Sequence, residues 1–282
     1  EQRSQDYHLA AAPVAAGPVL KRCLWDRCAG ALVTSATLTA LNSWGRFRTK
    51  AGLERDDGTE YLQLKSPFDY ANAAEMVVPA MTSDGGQAQA HTDELAERIP
   101  QLLDEHRVAT LVLFASWKQL RAVRDALPKS MRARVRCQGD ASRDALLQHH
   151  RGAVRQGKAA VLFGLASFAE GVDLQGRECE HVVIAKLPFK PPDSPIEATR
   201  AEWLDKHGKS PFLLMAVPEA SLKLSQAAGR LMRAETDSGR ITLLDRRIVT
   251  KRYGQSMLDA LPPFRRVIES SQRTQTNAKT LA

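Results

Sequence analysis

Cysteine is scarce in this 282-residue sequence: Cys23, Cys28, Cys137 and Cys179 are scattered, without the close pairing of a zinc site or a secreted disulfide framework. Buried, reduced thiols are the expectation. No run reaches the roughly 18 apolar residues of a membrane span, and "EQRSQDYHLAAAPVAAGPVL" lacks the basic, apolar and cleavage regions of a signal peptide. A membrane role is therefore not expected, and the expected location is the cytoplasm. No internal repeat is visible. Also missing is a glycine-rich phosphate loop ending in Lys and Ser/Thr. "GVDLQGRE" spaces two glycines correctly but continues with Arg177 and Glu178, and "WLDKHGKS" has Trp203 where the first glycine belongs. "LLDRR" offers no acid pair for Mg²⁺ and water activation, so the chain alone is not expected to hydrolyse a nucleotide.

What is present is a globular composition, 43% hydrophobic, enough for one large or two modest domains. Forty Lys and Arg against 32 Asp and Glu leave a net charge of +8 and a pI of about 9.5, a surplus that suits a polyanion. Short β-rich apolar runs alternate with amphipathic ones, the pattern of strand–helix–strand units and a mainly parallel sheet. Strands are read in "ALVTSATL" (31–38), "EYLQLKSPF" (60–68), "ATLVLFAS" (109–116), "ARVRCQGD" (133–140), "AAVLFG" (159–164), "EHVVIAKLP" (180–188) and "RITLLDRRI" (240–248). "WKQLRAVRDAL" is a helix stopped by Pro128, and "SRDALLQHHRGAVRQG" a helix ending at Gly157. "TSDGGQAQAHTD" (82–93) reads as a loop, and 190–212 as an insertion in which a proline cluster precedes a helical stretch. The chain begins with Glu and ends in the polar "SSQRTQTNAKTLA", so it is read as a fragment with a frayed tail.

Ligands of parallel α/β sheets bind at the carboxyl ends of strands. There this sequence places Ser35 and Thr37; Ser116 and Lys118; Gln138, Gly139 and Asp140; and Ser167, Glu170, Gly171 and Asp173. Each alone fits a cap or turn residue. Their recurrence at four strand ends points to a site. "SQAAGRLMRAETDSGR" (225–240) adds two arginines: on a helix, Gln226, Arg230 and Arg233 would fall within about 60° of one another, opposite Leu224, Ala227, Ala228, Leu231 and Met232. Carboxylates in "FAEGVD" could hold those guanidiniums ready for charge on a transferring phosphoryl group, although a purely structural Arg–carboxylate pair fits the pattern too. His149 and His150 are adjacent on one helix and point about 100° apart, a poor metal pair, and no metal site is expected. Trp44 and Phe47 beside Arg46, Arg48 and Lys50 form either a strand-gripping patch or a solvated basic helix end.

In order, "VTSATL", "LVLFAS", "SFAEGVDL" and "QAAGRLMR" resemble motifs III, IV, V and VI of the superfamily 2 helicases, in wording closest to the XPD/DinG branch. The likeness runs from about Tyr7 to Phe264 and includes "LNSWGRF", "SPFDY", "QGD", "DSPIEATRAEWL" and "IVTKRYGQSMLDALPPF". It implies a RecA-like, P-loop-NTPase-like α/β fold, here the second helicase domain without its own phosphate loop. Residues 1–57 would be the motif III lead-in, 58–268 the RecA-like domain with the insertion near 190–212, and 269–282 a flexible tail. The same likeness implies a monomeric, nucleoid-associated bacterial ATP-dependent DNA helicase moving 5′ to 3′ on single-stranded or forked DNA in repair or replication, with ATP and Mg²⁺ bound against an N-terminal helicase domain. Gln226, Gly229, Arg230 and Arg233 would then face the nucleotide, with the two arginines catalytic. Glu170, Gly171 and Asp173 would link nucleotide and DNA. Ser35 and Thr37 would couple hydrolysis to movement, joined on the nucleic-acid side by Ser116, Lys118, Gln138, Gly139 and Ser167. The cysteines do not match an iron–sulfur ligand set, so no cluster is assigned. A non-catalytic RecA-like module that docks nucleic acid or protein is the competing reading.

Overall fold

The structure is a computed structural model that describes residues 11–54, 56–190 and 194–269. The first ten residues and nearly all of the expected tail, 270–282, thus lie outside the described residues. The chain divides into two compact units, residues 1–63 with 190–218, and residues 64–189 with 219–282. Among the described residues, no helix is long and apolar enough to cross a membrane.

The first unit is helical. Gly17–Cys23 is followed by a short turn of helix at Trp25–Arg27, whose Trp25 indole N–H donates to the Ala51 carbonyl at 2.6 Å and so ties it to the helix Gly45–Ala51. Trp44 packs on Phe47 and Tyr61, with ring centroids 6.3 and 5.1 Å away. In the insertion, Ser194 caps the helix Pro195–Lys206 by accepting the Glu197 N–H, with Pro195 in the first helical turn, where its missing N–H costs nothing.

The second unit is built on seven strands: β1 Ala74–Val78, β2 Thr110–Phe114, β3 Val135–Cys137, β4 Val161–Leu165, β5 His181–Ile184, β6 Gly239–Leu243 and β7 Arg265–Ile268. Their order is β3-β4-β2-β5-β6-β1-β7, and every pairing is parallel. All seven carboxyl ends therefore share one edge. Val112, Phe114, Val161 and Phe163 face one side, packed with Leu95, Ile99 and Leu103 of the helix Ala88–Glu105 and with Leu120 and Val123 of the helix Trp117–Ala126. The alternate residues Leu111, Leu113 and Leu162 are buried too, as both faces of a parallel sheet require.

Several expectations need correction. Residues 31–38 and 60–68 belong to no sheet ladder among the described residues, and Leu32 is 93% exposed. A strand exists only where a neighbour takes up its N–H and C=O groups, and these segments have none here. The expected loop 82–93 runs into a helix from Ala88 onward. The arginine stretch is not one helix: Val217–Ala228 ends before Gly229, and Arg230 and Arg233 lie in the turns that follow.

Candidate functional site

Beyond Ala228 the chain is held by a side chain rather than by helical bonds. Asp237, 2% exposed, accepts the backbone N–H groups of Arg233 at 2.7 Å, Ala234 at 2.8 Å and, from the loop after β4, Gly176 at 2.9 Å. One buried carboxylate thus ties the arginine turn to the loop that carries Glu170, Gly171 and Asp173. Leu224, Ala227, Ala228, Leu231 and Met232 are buried as the packing face.

The arginines reach the same loop. Arg233 Nε donates to Asp173 Oδ1 at 3.0 Å, an exposed pair, and Arg230 Nη1 donates to the Val172 carbonyl at 3.0 Å. Arg230 Nε is buried with no hydrogen-bond partner. Burial, then the neighbouring Arg233 guanidinium, push the Arg230 pKa below the usual arginine value, against the pull of Asp173 and Glu170. An anion reaching both guanidiniums would relieve that repulsion and offer the orphaned N–H an acceptor, so the residues present fit a phosphate group.

The loop is braced from the helix Arg143–Arg155. Arg151 donates to Glu178 at 2.9 Å and to the Asp173 carbonyl at 2.6 Å, and buried His150 bonds the Glu178 carbonyl at 2.7 Å. Burial lowers the pKa of His150, which is engaged in this contact and not placed as a metal ligand. Gly171 leaves room for Arg143: a Cβ there would lie 1.8 Å from an Arg143 guanidinium nitrogen.

Glu170, Gly171, Asp173, Arg230 and Arg233 are therefore brought together. Gln226 is exposed on the last turn of its helix, and Gly229 follows that helix. Ser116 Oγ caps its helix by accepting the Gln119 N–H at 3.3 Å, and Gln138 Oε1 accepts the Leu165 N–H at 2.9 Å, joining the ends of β3 and β4. Lys118, Gly139 and Ser167 are exposed at the same strand ends. Ser35 and Thr37 belong to the first unit, where the Thr37 N–H donates to Ser35 Oγ at 3.2 Å. Sequence reasoning overlooked Arg143, Arg151 and Asp237. Only Asp237 carried a signal, an Asp–Ser–Gly turn after the arginines.

A parallel sheet whose strand-end loops oppose two arginines to carboxylates defines a class, and residues 99–264 match the helicase C-terminal domain family. The chain belongs to that family. Within it, the chain is 45% identical over 269 residues to the ATP-dependent DNA helicase DinG of Photobacterium profundum, covering 94% of this chain and 39% of that protein. It is 38% identical over 248 residues to the DinG helicase of Escherichia coli, covering 87% and 34%. The chain thus spans less than half the length of these relatives. Among solved structures, an XPD helicase aligns with a TM-score of 0.52 at 18% identity over 70% of this chain and 35% of its own. The S. tokodaii Xpd4 structure gives 0.52 at 18% over 72% and 39%, so the fold is the one these helicases carry.

Proposed function

We propose that the chain is the C-terminal motor half of an ATP-dependent 5′ to 3′ DNA helicase, acting in repair or replication on single-stranded or forked DNA. The observation that supports this reading best is the pair Arg230 and Arg233, steered by the Val172 carbonyl and Asp173, with one buried guanidinium N–H unpartnered. ATP would bring the phosphoanhydride to be cleaved, with Mg²⁺ held by the N-terminal helicase domain, since this chain has no phosphate loop or acid pair to hold them. The two guanidiniums donate to phosphate oxygens and stabilise the charge that develops there. Glu170, Gly171 and Asp173 carry the resulting movement to the strand-end loops, and Ser35 and Thr37 couple it to the other domain. Closure of the two domains on nucleotide, and opening after hydrolysis, gives the step. The working form is a monomer in the cytoplasm.

The test is ATP turnover by the longer parent protein with and without single-stranded DNA. Arg233→Ala or Arg230→Ala should cut turnover by about 10³–10⁵, as loss of an arginine finger does, with DNA binding retained. Turnover within threefold of the parent would remove the finger assignment. DNA binding without any turnover in the parent would favour the docking-module reading.

A further inference from the structure

At the carboxyl ends of β2, β3 and β4, the Ser116 hydroxyl and the Gln138 carboxamide are consumed inside the protein. What faces water between them is Trp117, 38% exposed and the first residue of its helix. The Arg121 guanidinium lies over this indole, 5.8 Å from the ring centroid, within cation–π reach. Gly139 sits beside the six-membered ring: a Cβ there would lie 3.6 Å from Cη2 and 3.9 Å from Cζ3, and its φ of +94° is one that a side chain would strain. At the end of β4, exposed Arg143 lies over Phe168, its guanidinium 5.9 Å from that ring. Lys118 is exposed next to Trp117. Of the acids nearby, Asp140 is drawn inward by the Cys137 N–H at 2.8 Å and by Arg124 at 3.7 Å, and Asp144 follows Arg143 on its helix.

An exposed indole bordered by cations at a shared sheet edge matches a nucleobase with its flanking phosphates: the flat ring offers stacking without regard to base identity, and the cations meet the backbone. We propose that Trp117 is a stacking platform for one base of a single-stranded nucleic acid, whose neighbouring phosphates are held by Lys118, Arg121 and Arg143. This rests on the reading of the chain as a nucleic-acid motor half. It makes Trp117 the base contact at the end of β2 and gives Ser116 and Gln138 a positioning role.

The 282-residue chain is titrated with fluorescent oligo(dT) and with a strand of equal length carrying abasic sites. Trp117→Ala should weaken oligo(dT) binding roughly 5- to 150-fold, the range for loss of one stacked base, while Trp117→Phe stays within about threefold. On the abasic strand, parent and Trp117→Ala should bind alike. Trp117→Leu, which keeps apolar bulk, should lose binding as the Ala variant does. The slope of affinity against salt should be unchanged in all three Trp117 variants and shallower in Lys118→Ala and Arg143→Ala. The platform is overturned if the chain does not bind oligo(dT), if Trp117→Ala binds it as tightly as the parent, or if the loss is equal on the abasic strand. A stacking loss seen alongside an Arg233→Ala parent that still turns over ATP would uphold the platform and sink the motor reading.

Discussion

At the scale of residues, the arginines act through the group that aims them. Asp237 accepts three backbone N–H groups from two loops while itself buried, so its removal strands three donors at once. Leaving buried donors unmade costs about 1–3 kcal/mol each. Asp237→Ala should therefore lower the unfolding free energy by at least about 3 kcal/mol, read by urea denaturation, and loosen the arginine turn even where the protein stays folded. A loss below 1 kcal/mol would show that these loops do not depend on the carboxylate. The candidate site was legible as a set of residue types: Arg230, Arg233 and Asp173 were identifiable, and the structure pairs the last two. What was not legible is their geometry. The 60° grouping assumed a helix through residue 233, yet Gly229 and the Asp237 carboxylate divert the chain after Ala228. A side chain nine residues beyond the helix end has no periodic signature.

At the scale of elements, runs such as "ATLVLFAS" were readable because they are apolar throughout and bounded by turn residues. β7 was not, since Arg265–Ile268 is an exposed edge strand opening on two arginines, and β1 is only five residues closed by Pro79. The helix Ala88–Glu105 was hidden by Gly85 and Gly86, by a polar first turn and by Pro100 inside it. Residues 31–38 failed in the opposite sense: a local pattern without a pairing partner. Strand β5 also sets a pH dependence. His181, 1% exposed, has its Nε2 2.8 Å from Thr242 Oγ1, and burial, then the nearby His106 and Arg240, lower its pKa from 6.5 to about 3. The unfolded chain takes a proton below about pH 6.5 that the folded chain refuses, so this stability is whole above 6.5 and is lost as pH falls towards 3. Between pH 6.5 and pH 5 the loss from this residue is about 2 kcal/mol, and His150 acts in the same direction. Denaturation at the two pH values should show a shallower drop in His181→Gln. An unchanged drop would mean that His181 is charged in the folded state.

At the scale of the whole molecule, the reading of fragment, basic surplus and parallel sheet came from alternation and charge, which long-range pairing does not disguise. Thiol chemistry checks the packing. Cys23 and Cys28 are exposed, whereas burial pushes the Cys137 thiol up to about 11 and the Cys179 thiol up to about 12. Ellman's reagent at neutral pH should count two thiols in the folded chain and four in denaturant, and a count of four without denaturant would contradict this burial. The all-parallel sheet has a practical corollary. Because every strand begins at the edge opposite the arginine and tryptophan loops, that edge is where a dye, a surface tether or a fused reporter can be attached. The exposed turn at Gly157 and Lys158, just ahead of β4, is one such place. With Cys23 and Cys28 replaced, a single cysteine introduced at Lys158 would let an observer watch this domain while leaving its strand-end loops unencumbered.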